Sequence, residues 1–445
     1  MAATTKLVVG ATTYTLSGDG ATILGCRYFP STPGEGDERL VETCTLTLDG
    51  TAAAVRGTVQ ALGRGLLEAR RRAESGYGAD VFVRYTAASG EEEYRSRVYG
   101  GRLVWPEEAD RRRLGGPVEV GLIWERDPFW EDVDLVELAL TNGNGSAVTG
   151  GLGIYNHDDG GAGHDNYVEI DAAYALGDLP GALKIELTNT IGAGQDYGNV
   201  YVGHNWGDEP FDRILEAEHG SGGSSTGSAA ASGGYYHTLT VPTSYSGAIW
   251  SYLLSNLELD AFAGRPAALL ARFQASPTSG ITMYWRLTNS SVEVYRSPEI
   301  VLGLSQVQLT GVLRLPPALR LMEDLSSLQL DLFARHASGT TLQLDFVQLT
   351  PTDGFRRLYT LAGSPSVTFS NGGVLGMDDS DGEDRIYWYG SGKYFSLWSA
   401  EGPPVRLEPG KTQRLYFLHD EQSYASNIAD TWDVQVWTRA RRSTI

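Results

Sequence analysis

The 445-residue chain is short of several things, and each shortage narrows what it can be. It has only two cysteines, Cys26 and Cys44. They flank a Pro- and Gly-rich loop and could pair across it. Two cysteines are no disulfide framework, however, and this favours assembly in a reducing cytoplasm. No run of about 18 apolar residues occurs, so no membrane-spanning helix is expected. No apolar stretch follows Met1, so a secretion leader is not expected either. Basic charge is scarce: 35 Lys and Arg stand against 55 Asp and Glu, a formal net charge of -20. A specific nucleic-acid binder shows a basic face, which this balance argues against. Catalytic signatures are missing too. There is no phosphate-binding loop and no dinucleotide fingerprint in a β-α-β setting. With 55 carboxylates some pair always suggests a glycosidase, so none can be singled out. The chain reads as a non-enzyme that needs no cofactor.

What is present points to β structure. Glycine is abundant at 55 residues, and so are Tyr and Trp at 23 and 10. Many turns with many aromatics mean short strands joined by tight loops. Alternation marks strands at residues 6–16, 41–48, 80–86, 94–100 and 118–124. One helix stands out. Val55, Val59, Leu62, Leu66, Ala69 and Ala73 fall on a single stripe, with Thr51 as N-cap and Gly76 as stop. Gly63 and Gly65 weaken this helix by about 1 kcal/mol each relative to Ala, so packing must hold it.

The length suggests two to four domains. We divide the chain into residues 1–135, 136–352 and 353–445. The middle segment carries most of the net negative charge, with 22 acidic against 9 basic residues. It opens on a Gly/Asn-rich linker, and Gly220–Gly234 reads as a low-complexity loop too long for a hairpin turn. Repeated strands across the segment indicate a sandwich. A short helical candidate lies at Pro317–Leu325. The third segment has strands near 357–361, 385–389, 414–418 and 432–437.

The first 130 residues run hairpin, long loop, strand, amphipathic helix, strands, and a last strand ending in Trp124-Glu125-Arg126-Asp127-Pro128-Phe129-Trp130. This order resembles the N-terminal domain of distal tail proteins and tail-tube subunits of long-tailed bacteriophages. The closing strand of the middle segment, Thr341 to Leu349, looks like the last strand of carbohydrate-binding-module-like jelly rolls, which baseplate proteins carry as insertions. The third segment is similar to a second tail-protein β domain. The resemblance implies a mainly β fold: a tail-tube-like sandwich with one flanking helix, a jelly-roll insertion and a C-terminal β domain. It implies a structural virion protein of the tail, assembled in the host cytoplasm as a hexameric ring at the end of the tail tube. Its partners would be its own copies, the tube, the tape-measure protein and the baseplate or tail-fibre proteins. The alternatives are a tail-tube subunit with a decorating domain and a glycan-binding adhesion protein.

Three groups of residues are candidate sites. His157, Asp158, Asp159, His164 and Asp165 flank a Gly-rich turn, and imidazole with carboxylate suits a structural metal ion. Asp and Asn also favour turns by bonding their own backbone, which is the plainer reading. Trp206, Trp250, Tyr284 and Trp285 could stack on sugar rings of a host-surface glycan, or fill a core. Arg111, Arg112 and Arg113 follow acidic residues and could form bidentate pairs across a subunit interface, or cap a solvated hairpin. The acidic run Asp378–Asp384 departs from the calcium-loop pattern and is expected to be a solvated loop.

Overall fold

A computed structural model describes residues 3–17, 25–34, 38–88, 90–104, 117–148, 150–156, 165–190, 195–206, 213–254, 266–314, 328–360, 367–369, 371–389, 393–394, 398–421 and 432–445. The fold is mainly β. Among the described residues no helix is long and apolar enough to cross a membrane. The chain forms two compact units. The first is Met1–Leu135 with Leu176–Gly181 and Arg439–Ile445; the second is Val136–Ala175 with Ala182–Thr438.

The first unit contains β1 (Thr4–Val9), β2 (Thr12–Ser17), β3 (Gly25–Arg27), β4 (Leu40–Leu48), α1 (Ala52–Ser75), β5 (Val81–Thr86), β6 (Tyr94–Val104), β7 (Val118–Arg126) and β8 (Trp130–Asp132). One antiparallel array runs β2-β1-β5-β6-β8, and β3-β4-β7 joins it through β6. The long β6 belongs to both. Its first half pairs with β5, and its second half pairs with β7 beyond a bulge between Val98 and Gly100. The change of sheet needs Gly100-Gly101. A Cβ on Gly101 would sit 2.1 Å from the Ile123 carbonyl oxygen, so only glycine lets β7 pass.

Helix α1 follows its sequence signals. The Thr51 hydroxyl accepts a hydrogen bond from the Ala54 amide at 3.2 Å. Gly76 closes the helix in the left-handed region at φ 70°. Val59, Leu62, Leu66 and Ala69 are buried as the stripe requires, whereas Ala73 is exposed. Gly65 has a role that its propensity hides: a Cβ there would lie 2.7 Å from Val9 Cγ2. The missing side chain lets α1 settle on β1. Cys26 and Cys44 are joined as a disulfide, with Cα atoms 6.5 Å apart. This is the pairing across the loop that the sequence left open. Neighbouring strands bring the two residues together, which spacing alone did not decide.

The second unit has two apolar cores. One gathers Leu138 to Val202 together with Leu358 to Val436. The other gathers Leu215 to Leu349. The consecutive segments 136–352 and 353–445 therefore do not describe it. The strand Gln195–Trp206 pairs with both Arg356–Thr360 and Gln413–Glu421, so residues on either side of the second core build the first. The piece with its own core is 213–351. It is two facing antiparallel sheets. One contains Arg213–Glu216, Ser224–Gly227, Tyr235–Val241, Pro266–Phe273, Val307–Arg314 and Thr340–Pro351. The other contains Trp250–Leu253, Thr282–Asn289, Val292–Arg296, Ile300–Val301 and Leu328–Arg335.

The Gly220–Gly234 stretch is not a plain loop. It holds a strand, Ser224–Gly227, and ends on the buried Ala231 and Ser232. The Ser232 amide donates to Asp345 at 3.0 Å, and its hydroxyl donates to Glu216 at 2.6 Å. The helical candidate at Pro317–Leu325 lies outside the described residues.

Candidate interaction surfaces and buried charge

In the first unit the Trp124–Trp130 cluster is built around charge. Arg126 is fully buried and forks onto Glu42, with Nε 2.6 Å from Oε2 and Nη2 2.7 Å from Oε1. Three more donors close on the same carboxylate: the Tyr28 hydroxyl at 2.5 Å, the Ser31 amide at 2.7 Å and Trp124 Nε1 at 3.2 Å. Burial alone would push Glu42 upward. The bonds and charge of Arg126 outweigh it and hold the carboxyl below its ordinary range. Arg126 also lies 4.4 Å over the Trp130 ring. Asp127 next to it is pushed up to about 6 by burial, although the Tyr99 hydroxyl donates to it at 2.8 Å. Glu131 is bracketed by Arg95 at 3.3 Å and Arg441 at 2.9 Å. Arg441 belongs to the returning residues 439–445, so this pair ties the chain end into the unit. None of these partners was visible from sequence; the cluster was legible only as a string of residue types.

The surface of this unit carries apolar side chains. Phe29 is 85% exposed and Val41 72% exposed. Tyr28 and Glu42 point inward, so alternation puts Phe29 and Val41 outward beside them. The expected interface residues Arg111, Arg112 and Arg113 lie outside the described residues.

In the second unit, His157, Asp158, Asp159 and His164 lie outside the described residues. Asp165 is described and buried, and its carbonyl accepts from the Tyr155 amide at 2.8 Å. Among the described residues no three His, Cys, Asp or Glu side chains gather as metal ligands. The aromatic candidates separate. Trp250 and Trp285 are fully buried in the core of 213–351, so neither can stack on a sugar. Their indole N–H groups are satisfied inside, by the Ala217 carbonyl and by Thr310 Oγ1, each at 3.0 Å. Tyr284 points the other way but is stacked on Phe333, with centroids 4.9 Å apart. Trp206 ends a strand paired to Gln413; its side chain lies outside the described residues.

The acidic run Asp378–Asp384 is only partly solvated: Asp379 and Ser380 are buried, Asp384 is exposed, and several of its acids are paired. Arg356 binds Asp384 at 2.5 Å, Arg385 binds Glu383 at 2.7 Å and Arg406 binds Asp379 at 3.0 Å. These arginines are remote in sequence or follow the run, which is why composition alone suggested a free loop. A second buried charged group lies on the six-stranded sheet of 213–351. Arg272 pairs with Asp345 at 2.5 Å with both side chains fully buried. Glu216 beside them is pushed up to about 8 by burial, against the hydrogen bond from Ser232. Tyr201, Leu270, Val307, Phe346 and Leu418 form an apolar cluster between the two cores.

No family model and no curated protein matches the chain. Two solved structures are similar along its length. A chain of the phage P2 baseplate, in its activated conformation with Ca, is 8% identical with a TM-score of 0.30, and 100% of each chain is covered. The SPP1 Dit (gp 19.1) protein, described as a paradigm of the hub adsorption apparatus in phages infecting Gram-positive bacteria, is 8% identical with a TM-score of 0.26, and 98% of each chain is covered. At these values neither likeness carries the functional reading.

Proposed function

We propose that the chain is a non-enzymatic structural subunit of a long-tailed phage tail or baseplate, a distal tail protein whose first unit closes into a hexameric ring. The observation that carries this reading is the pairing of a rigidly cross-linked interior with outward apolar groups. The Glu42–Arg126 cluster fixes β4 against β7; Val41 stands exposed on β4 and Phe29 stands exposed just after β3, next to Tyr28, which bonds the same Glu42. Apolar side chains exposed beside a fixed framework suit a permanent subunit contact better than solvent. The order of elements in the first 130 residues supports the same assignment. The piece 213–351 sits as an insertion within the second unit, as baseplate proteins carry such modules. The tail-tube subunit shares this architecture and is separated by copy number per particle.

The test is the mass and shape of the purified full chain. A sixfold ring with a central hole is expected. Phe29→Glu with Val41→Glu should abolish ring formation while leaving the melting temperature within about 2 °C, as surface substitutions do. A chain that stays monomeric at every concentration and on tail tubes counts against the proposal, and so does a double variant that still assembles.

A further inference from the structure

The outer face of the five-stranded sheet in 213–351 carries an arrangement that core packing does not explain. Along Thr282–Asn289, Met283, Trp285 and Leu287 point into the core, so Tyr284, Arg286 and Thr288 point out. Arg286 pairs across one side with Asp331 and across the other with Arg296. Two arginines thus stand opposite each other on adjacent strands, where like charges repel. Both lie over aromatic rings. Arg286 lies 4.5 Å over Phe333 and Arg296 lies 4.5 Å over Tyr284. Those two rings are themselves stacked. Tyr245 meets Tyr284 edge-on at 5.0 Å, and Arg335 lies 5.0 Å over Tyr245. The result is one row of guanidinium groups on an aromatic bed.

The acids nearby are not equivalent. Asp331 is buried and occupied: it accepts from Arg286 at 2.8 Å, Ser251 at 2.7 Å and Gln329 at 2.5 Å. Among the described residues Arg296 meets the exposed Glu293, at 3.6 Å, and the Tyr284 hydroxyl, at 3.3 Å. Arg335 meets the exposed Glu299 at 3.7 Å. These two guanidinium groups are each about half exposed. The carboxylates of Glu293 and Glu299 stand beyond hydrogen-bond distance, so an incoming oxyanion can take their place.

We propose that Arg296 and Arg335, steadied by this aromatic bed, bind the anionic groups of a polyanionic glycan. Arg335 aligns with Thr282 and Arg296 with Arg286. The two are therefore four residues apart along the strand direction, about 13 Å, and two strand spacings apart across it, so their backbones are about 16 Å apart. A polymer with an acid on successive units reaches both. A neutral sugar does not fit, because the Tyr284 and Phe333 faces are covered by each other and by arginine. A single-stranded nucleic acid carries the same repeating anions, and the experiment below separates it from a glycan. The site is independent of ring assembly.

Binding of the full-length protein is measured against immobilised poly(glycerol phosphate), polygalacturonate, dextran and oligo(dT). Binding to one or both of the first two is expected, and the one preferred tells phosphodiester from carboxylate. Arg296→Gln with Arg335→Gln should weaken it at least tenfold with an unchanged melting temperature, and Arg296→Lys with Arg335→Lys should restore part of it. The proposal is overturned if neither polyanion binds, if the Gln variant binds as wild type, or if dextran or oligo(dT) binds equally well.

Discussion

Glu216 shows how a single side chain can set a pH response. It sits at the end of Arg213–Glu216 with Ser232 donating to it and Asp345 and Glu218 adding negative charge. Burial raises it to about 8. The folded protein therefore holds this proton more tightly than the unfolded chain does, and stability falls as pH climbs from the ordinary carboxylate range through about 8. Glu42 has the opposite sign. Its lowered value means that its contribution is present at neutral pH and lost on acidification. Melting curves of wild type and Glu216→Gln from pH 5 to about 9 should diverge as pH rises, with the Gln variant the more stable at the alkaline end. Parallel curves would refute the assignment of a buried proton to Glu216.

Helix α1 separates propensity from packing at the scale of one element. Gly63 and Gly65 look alike in sequence, and both cost the helix relative to Ala. Their surroundings differ. A Cβ at Gly63 would meet Leu103 Cδ1 at an ordinary 3.5 Å, whereas one at Gly65 would meet Val9 Cγ2 at 2.7 Å. Gly63→Ala should stabilise the protein by about 0.5 to 1 kcal/mol. Gly65→Ala should destabilise it by about 1 to 3 kcal/mol, because overpacking against β1 outweighs the gain in propensity. Chemical denaturation of the two variants checks the pair, and equal effects would contradict the close approach of α1 to β1.

At the scale of the whole chain, the insertion 213–351 is the feature that can be tested by removal. Its flanks are already neighbours: Val202 pairs with Arg356 in an antiparallel ladder. Replacing residues 207–354 with a short turn should close that ladder as a hairpin and leave the core of Leu138 to Val436 folded. Some loss is expected, since Tyr201 and Leu418 lose their cover from Leu270 and Phe346. A cooperative melt with strand-type circular dichroism is the expected outcome. A molten or aggregated product would show that the two cores of the second unit fold only together.

Some of this was legible in the sequence because it is local. Alternation marks strands and the 3.6-residue stripe marks α1, with Thr51 and Gly76 as its ends, since each is set by neighbours within a few positions. The mainly β class follows from that alone. What the sequence did not decide depends on residues far apart. Alternation says that Tyr284 and Trp285 face opposite ways, but not which face meets a second sheet; the fold puts Trp250 and Trp285 inside. Asp378–Asp384 reads as solvated acid until Arg356 and Arg406 arrive from other strands. Domain order in sequence misled for the same reason. A strand such as Gln195–Trp206 finds its partners more than 150 residues later, and only closing that ladder separates the insertion from the sandwich that holds it. Periodicity is a property of the chain; pairing of charges and choice of core face are properties of the packed whole.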